Sequence, residues 1–264
     1  MAFQTSACVE TLYGELPFLQ RFQAAKRDGF DFAEFWSWED KDLAAVRAAA
    51  GEAGIGISAF NGDGPYSLID DAQRADYLAY LRASMEAARR IGARSLTIHS
   101  NALGEGGRVL RDYRELPEET KRRALREGLS QCAALAEECG VDLNLEPLNT
   151  AVDHPGNYLT STRMAAELVR AVGSPRLRVL YDVYHMYLNE GGFAESIRAY
   201  APLFGHVHYA DAPGRHEPGT GEIDLPQVLR CLDEAGYQGL IGFELFPAQT
   251  TVRAAEAIRR ALHR

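Results

Sequence analysis

RLRVLYD, residues 176–182, is a short apolar run that closes on an acid. Its branched and aromatic residues predict a buried β-strand with Asp182 at the C-terminal end. Three further runs have the same form. VDLNLE (141–146) ends on Glu146, FGHVHYAD (204–211) carries His208 near its end, and GLIGFE (239–244) ends on Glu244. Each gives way to loop sequence rich in Gly, Pro, Asn or Tyr. In a (β/α)₈ barrel the C-terminal strand ends converge on one pocket, where the chemistry sits. Four metal-type ligands on four successive strand ends would then meet in space, although they lie far apart in the chain.

The remaining sequence has the period such a barrel needs. Extended stretches are predicted at 3–9, 31–36, 55–60, 94–99, 141–146, 177–182, 204–210 and 239–245. Between them, apolar residues recur at helical spacing, as in Leu78-Leu81-Met85, Leu125-Leu129-Cys132-Leu135 and Met164-Leu168-Val172. Gly29, Gly54, Gly92, Gly140, Gly173 and Gly236 each follow a helical pattern shortly before a strand, as C-cap glycines do. The chain has 264 residues, the size of one TIM barrel. No linker divides it, so residues 1–264 are read as one single-domain α/β (β/α)₈ TIM barrel. A doubly wound open sheet would place a Gly-rich phosphate turn after its first strand, and none is present there.

Composition excludes several partners. A net charge of −9 is unlike a nucleic-acid surface, which needs a basic face. No anionic-membrane patch is expected, because Lys and Arg are dispersed among acids, and no apolar stretch is long enough to span a bilayer. Cys8, Cys132, Cys139 and Cys231 lack CxxC spacing and read as reduced thiols. MAFQTSACVE at the N-terminus lacks a basic and then apolar leader pattern, so a cytoplasmic location is expected.

Glu146, Asp182, His208 and Glu244 together form a mostly oxygen donor set. Such a set suits one divalent ion, with Mn²⁺ or Mg²⁺ favoured and Co²⁺ or Zn²⁺ also compatible. Taken singly, each residue is as readily a cap, an ion-pair partner or a core histidine. Their joint placement at the catalytic face is what points to a site.

FGHVHYADAPGRHEPGTGEID (204–224), LEPLNT around Glu146, YDVYHM (181–186) and PFLQRFQAAKRDGFDFAEF near the N-terminus resemble the hydroxypyruvate isomerase family of the xylose-isomerase-like barrel superfamily. The resemblance spans essentially the whole chain. It implies that Glu146, Asp182, His208 and Glu244 bind one divalent metal and that Glu146 and Glu244 flank the substrate as an acid/base pair. It also implies that His185 contacts substrate and that the protein acts on a small hydroxy-carbonyl compound or sugar, with a homo-oligomer compatible. The stretch HVHYAD departs from the HxQxAD common near hydroxypyruvate isomerases and is similar to that of ketose 3-epimerases. EFWSWEDKDL (34–43) and SAFNGDG (58–64) are likewise unlike the pocket loops of hydroxypyruvate isomerases.

An α-hydroxy carbonyl compound held on such a site can form an enediolate. Returning the proton to the neighbouring carbon isomerises it, and returning it to the opposite face of the same carbon epimerises it. Isomerisation of hydroxypyruvate to tartronate semialdehyde is the expected reaction, with ketose 3-epimerisation the alternative. A lyase or dehydratase and a non-catalytic sugar-binding barrel use the same scaffold. A multinuclear zinc endonuclease would need more histidines and a basic groove.

Other residues are candidates for specificity. Arg215 offers a planar fork for a carboxylate or hydroxyls, or else pairs with Glu217 or Glu222. Glu222, His99 and Trp36 complete the candidate substrate contacts with His185 and Arg215. His99, ending the fourth strand, serves equally as core packing. Glu34, Trp36 and Trp38 lie at or beyond the second strand end, where the aromatic rings either wall the pocket or pack helix against barrel. EPGTGE (217–222) lacks the Lys or following helix of a phosphate cradle and reads as a loop closing over the site. His206 shares the side of His208, two residues on, as a deeper interior residue or a partner behind the ligands.

Overall fold

The computed structural model describes residues 3–263. Of the span read as one domain, positions 1, 2 and 264 therefore lie outside the described residues. The first half runs β1 (Thr5–Cys8), α1 (Phe18–Arg27), β2 (Phe32–Glu34), α2 (Leu43–Ala53), β3 (Gly56–Ile57), β4 (Ala59–Asn61), α3 (Arg74–Ile91), β5 (Ser95–Ile98) and α4 (Glu118–Cys139). The second runs β6 (Asp142–Leu145), α5 (Thr162–Val172), β7 (Leu177–Asp182), α6 (Val183–Glu190), α7 (Ala194–Tyr200), β8 (Phe204–Tyr209), α8 (Leu225–Glu234), β9 (Ile241–Phe243) and α9 (Thr251–Leu262). All strand pairings are parallel, in the order β3-β2-β1-β9-β8-β7-β6-β5-β4. The two outermost members, β3 and β4, are separated in the chain by Ser58 alone, so the sheet closes on itself as a TIM barrel.

One expected strand, 55–60, is thus two segments, and eight staves carry nine strands. Ser58 is where the pairing changes hands. Its N–H donates to Ala33 O at 2.9 Å on one side, and its carbonyl accepts from Ser95 N at 3.0 Å on the other. Its hydroxyl turns into the barrel, 2.7 Å from Ser6 Oγ and 2.9 Å from Glu34 Oε2. The unit after β7 departs in another way, since it carries two short helices in place of one.

Helix boundaries follow local chemistry. Gly54, Gly92, Gly140 and Gly173 are left-handed C-caps, while Gly29 and Gly236 stand one residue past the caps Asp28 and Ala235. Asp42, Ser161, Asp224 and Thr250 accept backbone N–H groups at helix starts. On α4 the predicted face Leu125-Leu129-Cys132-Leu135 is buried. On α5 the buried stripe is Ala165-Leu168-Val169, rotated from the predicted Met164-Leu168-Val172, because small residues let that side lie close to the strands. The four cysteines are free. Among the described residues, no helix is long and apolar enough to cross a membrane.

The barrel interior is unusually polar near its C-terminal end, where branched apolar side chains are the norm. Gly242 makes room for this. A Cβ there would lie 2.5 Å from Glu34 Oε1, 2.7 Å from His208 Cδ2 and 2.8 Å from His206 Nε2. None of the three is a free side-chain end that can swing away, as all are buried. Gly242→Ala is expected to overpack the barrel and lower unfolding stability by about 1–3 kcal/mol. Urea unfolding of the metal-free variant against wild type measures it.

Candidate active site

The strand ends deliver the site. Asp182 is the last residue of β7, His208 the next to last of β8, and Glu146 and Glu244 directly follow β6 and β9. The sheet register sets Asp182 beside His208 and His208 beside Gly242. His208 Nδ1 lies 3.9 Å from Glu146 Oε1, 3.9 Å from Asp182 Oδ2 and 3.7 Å from Glu244 Oε2. One ligand atom from each residue lies within 4.8 Å of the others, and all four residues are buried. The site opens into a cavity of about 630 Å³ walled by Trp36, Leu103, His154 and Phe246, among others.

Asp182 has two duties. Its Oδ1 accepts His185 N at 3.0 Å and so caps α6, while Oδ2 faces the cluster. The helix start then carries His185 one turn on, with its Nε2 3.7 Å from Asp182 Oδ2 and its Nδ1 2.6 Å from Asn149 Nδ2. Burial, together with the nearby charge of Arg215, pushes the His185 imidazole well below its usual range, so it is neutral. The bond to Asn149 makes His185 Nδ1 the acceptor and leaves Nε2 carrying the proton, an assignment made from surroundings.

The two glutamates are held differently. Glu146 Oε2 lies 3.1 Å from His99 Nε2, and His99 Nδ1 lies 3.0 Å from Asp63 Oδ2. Although burial opposes it, the Asp63 and Glu146 carboxylates raise the His99 imidazole to about 10. Glu244 takes the Trp36 indole N–H on Oε1 at 2.5 Å and the Arg215 guanidinium on Oε2 at 2.5 Å. Burial raises Glu244, but Arg215 and His208 outweigh it and hold the carboxyl below its ordinary value. Asp182 is shifted the other way, raised by burial and by the neighbouring Glu146 charge.

These positions resolve several alternatives. Trp36 lines the cavity, whereas Trp38 packs against Tyr80 and donates to Ser84 Oγ at 2.9 Å. Arg215 lies in the cavity wall beside Glu244, rather than on Glu217 or Glu222. Glu222 is a correction. It is exposed outside the cavity and accepts the Tyr187 hydroxyl at 2.9 Å, because its loop turns outward before α8. His206 is interior, 3.0 Å from Glu34 Oε2. The EPGTGE loop is organised from within: Asp211 accepts the N–H groups of Gly219, Thr220, Gly221 and Ile223 at 2.8–3.0 Å.

Comparison with known proteins places the fold. Residues 22–262 match the xylose isomerase-like TIM barrel family. The chain belongs to the xylose isomerase-like TIM barrel family. The resemblance to hydroxypyruvate isomerases also holds along its length. A 2-oxo-tetronate isomerase of Cupriavidus necator is 30% identical, with 93% of this chain and 94% of that protein covered. The hydroxypyruvate isomerase of Escherichia coli is 29% identical, again covering 93% of this chain and 94% of the relative. Among solved structures, an AP endonuclease, family 2, from Brucella melitensis superposes with a TM-score of 0.86 at 25% identity, covering 96% of both chains.

Within this family member, sequence reasoning missed Asp63, Asn149, Asp153 and His154. Asp63 follows β4 by two residues, so the strand-end rule could have found it. The other three sit in the long connection between β6 and α5, where no strand or helix period fixes a direction. Asn149 organises that connection, its Oδ1 accepting Val152 N and Asp153 N at 3.0 Å each. Asp211→Ala is expected to free the amides of residues 219, 220, 221 and 223, raising their hydrogen-exchange rates roughly tenfold or more while strand amides stay protected. Amide exchange followed by mass spectrometry reads this directly.

Proposed function

We propose that this chain is a divalent-metal-dependent isomerase that converts a small α-hydroxy-carbonyl compound through an enediolate, with hydroxypyruvate to tartronate semialdehyde the reaction favoured. The observation that carries this reading is the buried cluster of Glu146, Asp182, His208 and Glu244 at the mouth of the barrel.

The residues fit a divalent ion. Glu146 Oε1 and His208 Nδ1 are buried without a hydrogen-bond partner and face one another across the cluster. Three buried carboxylates around one imidazole have unbalanced negative charge, which is costly unless a cation is shared. The three oxygen donors and one nitrogen favour Mn²⁺ or Mg²⁺. Such an ion supplies Lewis-acid stabilisation for the negative charge on the substrate oxygens.

The protein's own groups account for the rest. One of the Glu146 and Glu244 carboxylates takes the C3 proton of hydroxypyruvate, and a proton is returned at C2. The C3 hydroxyl proton passes to the C2 oxygen, so the product is an isomer with no net change in atoms. His99 anchors Glu146, while Trp36 and Arg215 anchor Glu244, so each carboxylate is aimed before substrate arrives. Neutral His185 directs its Nε2 toward the same space and can donate to a substrate oxygen. Trp36 and Phe246 limit water at the mouth.

A second reading is ketose 3-epimerisation, favoured by the cavity of about 630 Å³, which exceeds the needs of a three-carbon acid. The test uses protein stripped of metal and reloaded with Mn²⁺, incubated in D₂O with hydroxypyruvate or with four- to six-carbon ketoses and followed by NMR. Metal-dependent formation of tartronate semialdehyde is expected. Glu146→Gln and Glu244→Gln should each lower kcat by about 10²–10⁴-fold. Inert hydroxypyruvate together with epimerised ketose would move the assignment to the second reading. No exchange with any substrate would reject both.

A further inference from the structure

Behind the cluster lies a second constellation that the proposed chemistry does not use. Glu34 ends β2, across the barrel from His208, and both are buried together with His206. His208 Nε2 lies 3.2 Å from Glu34 Oε1, and His206 Nε2 lies 3.0 Å from Glu34 Oε2. The Ser58 hydroxyl donates to Glu34 Oε2 at 2.9 Å. Meanwhile the other ring nitrogen of His208, Nδ1, points at the carboxylates of Glu146, Asp182 and Glu244. One imidazole is therefore shared between two acidic surroundings, with one nitrogen for each.

We infer that Glu34 is a positioning residue that fixes the tautomer and orientation of His208, holding a proton on Nε2 so that the Nδ1 lone pair faces the metal cluster. This rests on the metal reading proposed above. A carboxylate behind a ligand histidine has this effect generally: it sets which nitrogen is free and makes that nitrogen more basic. His206 and Ser58 clamp one oxygen of Glu34. The other, Oε1, and His208 Nε2 are both buried without a hydrogen-bond partner and face one another at 3.2 Å, so a small turn of either side chain pairs them. Gly242, lying between the three side chains, allows their approach. Glu34, His206 and His208 also have metal-ligand spacing, their atoms lying within 4.8 Å of one another. The positioning role accounts for that spacing with a single ion, and a second ion on Glu34 is the competing arrangement.

Three measurements decide the matter. Calorimetric titration of the stripped protein with Mn²⁺ should give one equivalent bound. Glu34→Gln should weaken that binding by about 10–100-fold, and Ser58→Ala, a milder change that leaves the carboxylate in place, by a few-fold. Long-range ¹H–¹⁵N NMR of the Zn²⁺-loaded wild type should show His208 protonated at Nε2 and unprotonated at Nδ1. A general loss of structure would change the circular dichroism of the variants, whereas loss of positioning leaves it unchanged. Should Glu34→Gln fail to fold, the Ser58→Ala affinity and the wild-type tautomer still decide. Equal affinity in folded Glu34→Gln, or a proton on His208 Nδ1 in the loaded wild type, overturns the assignment. Two bound equivalents in wild type falling to one in Glu34→Gln overturns it in favour of a second ion. A wild-type protein that takes up no metal overturns the metal reading as well, and the wild-type titration alone distinguishes that failure from the others.

Discussion

Carboxylates gathered in one dry place repel each other, and the architecture of this protein is organised around that repulsion. Glu34, Glu146, Asp182 and Glu244 are all buried at the C-terminal end of a single barrel. An ionised carboxylate left unpaired in such a setting is strongly disfavoured. The compensating positive or proton-bearing groups are few and each has a place: Arg215 and the Trp36 indole on Glu244, His99 on Glu146, His206 and Ser58 on Glu34. Asp182 has the weakest compensation and the raised proton affinity that follows from it. His208, touching all of these acids, is the hub through which their charges are balanced.

That balance depends on the barrel. Pairing of β1 with β9 sets β2 two strands from β9 and three from β8 in the same ring. Only then can Glu34, from the first quarter of the chain, stand behind a histidine from the last. The register sets the depth of each side chain: β7 and β8 slip by one residue between Val179 and Leu180, after which Asp182 stands opposite His208, and a further shift of one residue would turn His208 out of the barrel. The loops contribute differently. They supply the cavity walls and a few anchoring groups, each loop being tied down by its own polar side chain, Asn149 in one case and Asp211 in another.

The legible part of this design is the part carried by strands. RLRVLYD and its three companions are short apolar runs, and a residue at the end of such a run has a predictable destination. Glu146, Asp182, His208 and Glu244 could therefore be placed together before any coordinates. Loop residues have no such periodicity. Glu222 lies five residues from the buried Glu217 in one loop, yet it points to solvent and Tyr187 while Glu217 accepts Ala248 N from within. Asp153 and His154 enter the cavity from a connection whose course depends on Asn149 and on tertiary contacts. The split third strand was hidden for another reason. Ser58 keeps backbone hydrogen bonds on both sides, so the residue pattern through it is that of one continuous strand.

The capping of α6 by Asp182 has an entropic consequence. A free aspartate that captures a cation must give up rotamer freedom, and that loss weakens binding. Here the side chain has already been immobilised by the helix it starts, with one oxygen committed to His185 N and the other fixed toward the cluster. Folding thus removes the disorder in advance, and a cation held here as proposed would meet a group with no rotor left to freeze.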